Sequence, residues 1–182
     1  MEKARIPVKI LREGARLPQY GSAFAAGADL YACLEKELTI EPGKSALVPT
    51  GVALELPPFT VGLVYARSGL ATKRGLAPAN KVGVIDCDYR GELLVALYNQ
   101  SAEEQTVLPG ERIAQLVVTP YIPAEFEETE ALSETQRGPT GPQKTTHRTR
   151  RRDPCPRRSF LIWTGRFWSA VGFLPPARRK NR

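Results

Sequence analysis

Val52-Ala53-Leu54-Glu55-Leu56 alternates large apolar residues with a small and a charged one, and a period of two marks a strand with one buried face. The alternation predicts that Ala53 and Glu55 face water. Outward from this segment, runs rich in β-branched, aliphatic and aromatic residues recur at intervals of roughly 8–15 residues, a spacing typical of sandwiches and barrels. They include Val8-Lys9-Ile10-Leu11, Ala46-Leu47-Val48, Val61 to Tyr65, Leu93 to Tyr98 and Ile113 to Val118. Gly, Pro or Asn bounds each run, and the Pro-Gly pairs at 42–43 and 109–110 punctuate the strands. Helical periodicity is weak except around Ser68 to Lys73, where a single turn follows Arg67. The predicted class is all-β, a jelly-roll-like barrel or sandwich with little helix.

The formal charge of +7 hides two regions of opposite sign. Residues 1–136 carry 13 Lys and Arg against 18 Asp and Glu, a net of −5, whereas residues 137–182 carry 13 against 1, a net of +12. This predicts one β domain over 1–136 and an irregular, Arg/Pro-rich basic tail over 137–182 that is disordered in isolation. Three scattered cysteines, Cys33, Cys87 and Cys155, form neither a disulfide framework nor a Cys-x-x-Cys site. Nothing resembles a secretory signal or a bilayer-spanning apolar stretch. These features predict a soluble intracellular protein with no membrane partner, cytoplasmic or, through its tail, nuclear.

The only histidine, His147, lies in that tail, so histidine-based triads and histidine-ligated zinc are excluded from the patterned region. Glycine-rich helix-terminated phosphate loops are absent as well. Catalysis must therefore rest on carboxylates, with or without a metal.

Four segments hold the relevant groups. Asn80-Lys81-Val82-Gly83-Val84-Ile85-Asp86-Cys87-Asp88-Tyr89-Arg90-Gly91-Glu92 joins an apolar run to two carboxylates, an aromatic and a glycine. On a strand Asp86 and Asp88 would share a face, while a turn would splay them. Ala66 to Gly75 brings together Arg67, Ser68, Gly69, Lys73 and Arg74, a composition suited either to an anion or to a solvated basic loop. Ala26-Gly27-Ala28-Asp29-Leu30-Tyr31-Ala32 reads alone as a strand with an exposed acid. Gly110-Glu111-Arg112-Ile113-Ala114-Gln115-Leu116 completes the set.

In this order and at these separations, the four segments resemble the motifs of the trimeric dUTP pyrophosphatases. The resemblance implies a homotrimer with active sites between subunits, dUTP as substrate and Mg2+ as cofactor. It makes Asp86 the carboxylate that activates the attacking water and meets the sugar 3′-hydroxyl. Tyr89 would lie under the deoxyribose and exclude a ribose, while the backbone from Asn80 through Gly83 and Val84 lines the uracil. Arg67, Ser68, Gly69 and Gln115 match phosphate-binding positions. Asp29 matches the acid that supports magnesium through water.

The fifth family motif, Arg-Gly-x-Gly-Gly-Phe-Gly-Ser-Thr-Gly, has an Arg that grips the γ-phosphate and a Phe that covers the uracil. Here the sequence is Arg137-Gly138-Pro139-Thr140-Gly141-Pro142, so Arg137 and Gly138 match and the Gly-Gly-Phe does not. The altered arm predicts activity lowered by about 100-fold or more, the scale of losing transition-state donors. The abrupt change of character after Gly138 is what a reading-frame shift would produce. The alternative is a genuine basic extension on a catalytically impaired nucleotide-binding module, with Arg148 to Arg152 engaging nucleic acid or a partner. A related family, the dCTP deaminases, carries a catalytic Glu five residues after the motif glycine, where this chain has Ala96.

Overall fold

The computed structural model describes residues 4–136. Residues Met1–Phe126 form one compact unit, built almost wholly of short strands. They are β1 (Val8–Ile10), β2 (Gln19–Tyr20), β3 (Ala28–Tyr31), β4 (Leu38–Ile40), β5 (Ser45–Pro49), β6 (Val52–Leu54) and β7 (Thr60–Tyr65). After α1 (Ser68–Arg74), the single helix among the described residues, come β8 (Leu76–Pro78), β9 (Val82–Ile85), β10 (Leu94–Asn99), β11 (Gln105–Val107) and β12 (Arg112–Pro120). Each run singled out in the sequence falls on a strand. The boundary that composition puts at 136/137 lies at the edge of the described residues, and the basic tail, Arg137 included, lies outside them.

All pairings are antiparallel. The largest sheet has the order β2-β3-β12-β7-β9, a second runs β5-β10-β8, and the pairs β1-β6 and β11-β4 complete the fold. Together they enclose a core that includes Leu30, Ile40, Val48, Val52, Leu76, Leu97 and Ile113. This is the jelly-roll-like arrangement expected. Asn99 is a fully buried polar side chain: it donates from Nδ2 to the carbonyls of Ile40 and Glu103, both at 2.8 Å, and accepts from the Ser101 amide at 2.9 Å. Satisfied on both sides, it avoids the cost of an unpaired buried amide.

The alternation at Val52–Leu56 needs one correction. Ala53 is buried along with Val52 and Leu54, and Glu55 alone is exposed. Pairing with β1, in which Ala53 stands opposite Lys9, covers the small residue that the pattern assigned to solvent. Helix α1 is also longer than a single turn. It closes on Gly75, whose φ of 68° is the left-handed conformation that ends helices.

Candidate functional site

Asp29, Gln115 and Tyr65 stand opposite one another across β3, β12 and β7. Asp29 is buried rather than the exposed acid its neighbours imply, because two arginines close over it. Arg67, at the cap of α1, donates from Nε to Oδ1 at 2.7 Å, and Arg112 donates from Nη1 to Oδ2 at 3.2 Å. Two guanidiniums against one carboxylate leave a local excess of one positive charge, a receptor for an anion.

A β-bulge makes this possible. Residues three apart on a regular strand face opposite sides, yet Arg112 and Gln115 both reach the same cleft, because the register of β12 against β3 slips between Arg112 and Ala114. Gln115 donates from Nε2 to the Ala66 carbonyl at 2.8 Å, leaving its Oε1 over the backbone of Gly27. The result is an open cleft of about 220 Å³ shared by Asp29, Arg67, Ser68, Gly69, Arg112 and Gln115. Gly69 has nothing within 4 Å of where a Cβ would stand, so its backbone is open to a ligand. Of these six, Arg112 is the one absent from the site residues the sequence predicts. Its place two residues after Gly110 in the fourth segment was the available signal, but the bulge that turns it toward Asp29 has no sequence signature.

The other predicted residues gather elsewhere. Asn80 lies in the turn from β8 to β9, with Lys81 at φ 66° and its amide bonded to the Pro78 carbonyl at 3.0 Å. Among the described residues, strand β9, which carries Gly83 and Val84, pairs only with β7, so none of them pairs with the backbone groups of its other edge. Gly83 lets β9 lie close to its partner on β7, where the Cβ of Val64 is 3.1 Å from a hypothetical Gly83 Cβ. Asp86 follows β9 in an exposed turn closed by the Tyr89 amide on the Asp86 carbonyl at 3.1 Å. The strand ends before Asp86, so the turn settles the open question of whether Asp86 and Asp88 share a strand face: they do not. The Tyr89 ring lies over Gly91, where a Cβ would be 2.5 Å from Cζ.

The two groups are well separated within one chain. Tyr65, in the row of Asp29 and Gln115, stands opposite Val82, whereas Asp86 follows Ile85 at the far end of β9. At ~3.3 Å per residue and ~4.8 Å per strand, Asp29 and Asp86 are about 20 Å apart. No residue from 80 to 89 lines the arginine cleft. Among the described residues no cluster of three or more His, Cys, Asp and Glu side chains could cage a metal, and no helix is long and apolar enough to cross a membrane.

Comparison with known proteins places this architecture. The dUTPase family model matches residues 13–146. A deoxyuridine 5′-triphosphate nucleotidohydrolase of Desulfitobacterium hafniense (strain DSM 10664 / DCB-2) is 52% identical over 141 residues, covering 76% of this chain and 93% of its own. One from Syntrophotalea carbinolica is 47% identical, covering 78% and 96%. Among solved structures, a Staphylococcus bacteriophage 80alpha dUTPase mutant with dUpNHpp superposes with a TM-score of 0.70 at 27% identity, covering 76% of this chain and 96% of its own. A mutant dUTPase from phage phi11 of S. aureus, described with the coordination of a structural Mg(II) ion, gives a TM-score of 0.64 at 26% identity, covering 70% and 98%. With most of its length matched by the family model and by relatives at about half identity, the chain belongs to the dUTPase family.

Proposed function

We propose that this protein hydrolyses dUTP to dUMP and pyrophosphate, with water attacking the α-phosphorus, in a homotrimer whose sites form between copies. The observation that carries this reading is the pairing of an arginine-lined anion cleft with a separate, exposed carboxylate turn. A carboxylate that activates water must lie within hydrogen-bond reach of the reaction, or one water away. A distance of about 20 Å within one chain is too long, which favours the cleft of one copy facing the carboxylate turn of another.

In this mechanism Arg67, Gln115 and the open Ser68-Gly69 backbone bind and orient the triphosphate. Their donors offset charge that develops on departing pyrophosphate. Asp86 holds the attacking water by accepting its hydrogen bond and takes its proton as the bond to phosphorus forms. Tyr89 supports the sugar from below. The free edge of β9, from Asn80 through Gly83 and Val84, offers the backbone donors and acceptors a uracil ring requires. Arg137 would reach the γ-phosphate from beyond the described residues.

The cleft suits magnesium carried on the nucleotide. Mg2+ binds through few carboxylates, substrate phosphates and retained waters, and Asp29 spends two of its roughly four acceptor positions on arginine. The remaining positions can receive water from the ion's shell. When bound, the ion neutralises phosphate charge.

Pyrophosphate release from dUTP, with dCTP, dTTP and UTP as controls and magnesium varied, tests the proposal on the full chain and on Asp86→Asn. Selective dUTP turnover, abolished in the variant, is expected. Binding of dUTP without release would instead favour the impaired nucleotide-binding module.

A further inference from the structure

Glu92 is not part of either cluster, yet its side chain makes more strong contacts than any other acid among the described residues. Arg12, in the loop after β1, grips it in bidentate fashion: Nε lies 2.9 Å from Oε1 and Nη2 lies 2.8 Å from Oε2. The amide of Gly51 donates to the same Oε1 at 2.8 Å. Gly51 occupies the turn from β5 to β6 at φ 70°, a conformation that favours glycine. An added Cβ there would also meet Ala15 Cβ at 2.6 Å and Cys33 Sγ at 2.9 Å. The adjacent Leu93 is tied to the same turn from both sides, donating to the Val52 carbonyl at 2.9 Å and accepting from the Thr50 hydroxyl at 2.7 Å.

The clamp matters for what precedes it. Residues 86–90 form an exposed excursion beyond β9, with Cys87 alone packed against the core. The Tyr89 hydroxyl donates to the Glu92 backbone carbonyl at 3.1 Å, so Glu92 is the point where the tip of the Tyr89 ring is held. With the hydroxyl end of the ring also against Gly91, the position of the ring tip follows from where residues 91 and 92 sit. Arg12, the outer member, is largely exposed, while the Glu92 side chain is only 15% exposed.

We propose that Glu92 is a positioning residue: gripped by Arg12 and Gly51, it fixes Tyr89, and through Tyr89 it sets the selection of deoxyribose over ribose. The inference rests on the reading of Tyr89 as the support for the sugar. A steric test against one extra hydroxyl needs a wall held within a fraction of an ångström, and an exposed tyrosine on a turn cannot provide this unless its tip is anchored. The clamp supplies that anchor from a part of the chain 80 residues away.

The test compares the full-length wild type with Arg12→Gln, Glu92→Gln and Glu92→Ala. It measures kcat and KM for dUTP and UTP with magnesium, and binding of dUMP and UMP by calorimetry. Arg12→Gln removes the grip from the solvent side and Glu92→Gln keeps an acceptor for Gly51, so both remain informative if Glu92→Ala fails to fold. The expected result is a fall of about tenfold in the dUTP-to-UTP ratio of kcat/KM, as for loss of a hydrogen bond to a charged group. Tyr89→Phe, which keeps the ring but loses its bond to Glu92, should lower the ratio similarly. An unchanged ratio in folded Arg12→Gln and Glu92→Gln would overturn the proposal and leave the clamp a purely structural contact. Absence of dUTP turnover in the wild type would overturn the proposed function instead, while the dUMP-to-UMP binding ratio would still decide the role of Glu92.

Discussion

Gln115 rests on Gly27: a Cβ at position 27 would stand 2.5 Å from Gln115 Oε1 and 3.2 Å from its Cβ. Gly27 is not among the glycines with positive φ, so alanine would be tolerated by its backbone, and the three atoms nearest its Cβ would all belong to Gln115. Gly27→Ala should therefore fold, displace the Gln115 amide from the Ala66 carbonyl, and lower kcat/KM for dUTP by roughly 10- to 100-fold, as for loss of one preorganised phosphate donor. Steady-state kinetics beside a thermal melt would check this. A variant with normal kinetics would remove Gln115 from the phosphate site.

The separation of Asp86 from the arginine cleft predicts complementation between copies. Asp86→Asn and Arg67→Ala should each be nearly inactive. Co-refolded in equal amounts, they should recover about a quarter of wild-type activity, because random assembly pairs an intact Asp86 turn with an intact cleft at one site in four. Activity no higher than either parent would place both groups of each site in one chain.

Phe59 stands in the left-handed region at φ 61°, exposed, in the turn between β6 and β7. A bulky side chain there costs about 1–2 kcal/mol, and no buried packing offsets it. Phe59→Gly should raise stability by about 1 kcal/mol, the gain reduced by glycine's greater freedom in the unfolded chain. Urea denaturation monitored by circular dichroism would measure it.

Hydrogen bonds from Arg12 and the Gly51 amide hold the Glu92 carboxyl below its ordinary 4.5, against the opposing effect of burial. A folded-state value below the unfolded one means that the stabilisation is complete above the unfolded value and is lost as pH falls through the folded one. The stability advantage of wild type over Glu92→Gln should therefore be constant near neutrality and shrink below about pH 4.5. Paired denaturation curves from pH 7 to 3 would show it. An advantage that grew in acid would mean that the carboxyl is not stabilised by these partners.

Much was legible in the amino-acid order. Short apolar runs bounded by turn residues, such as Leu93 to Tyr98, identified strands, because a segment of that length and composition suits a half-buried extended chain. The four segments likewise identified the family, since the chemistry of a phosphate site restricts which residues can occupy it. What the order of residues left open was decided by pairing. Asp29 reads as exposed until Arg67 and Arg112, 38 and 83 residues away, close over it. Ala53 reads as solvent-facing until β1 covers it. Arg112 joins Gln115 only because one bulge shifts the register of β12, and the arginine cleft and the Asp86 turn part because β9 leaves the row of Tyr65 at Val82 and runs on to Ile85. These are consequences of long-range contacts. A sequence determines which groups are available, and the folded registers alone determine which of them meet.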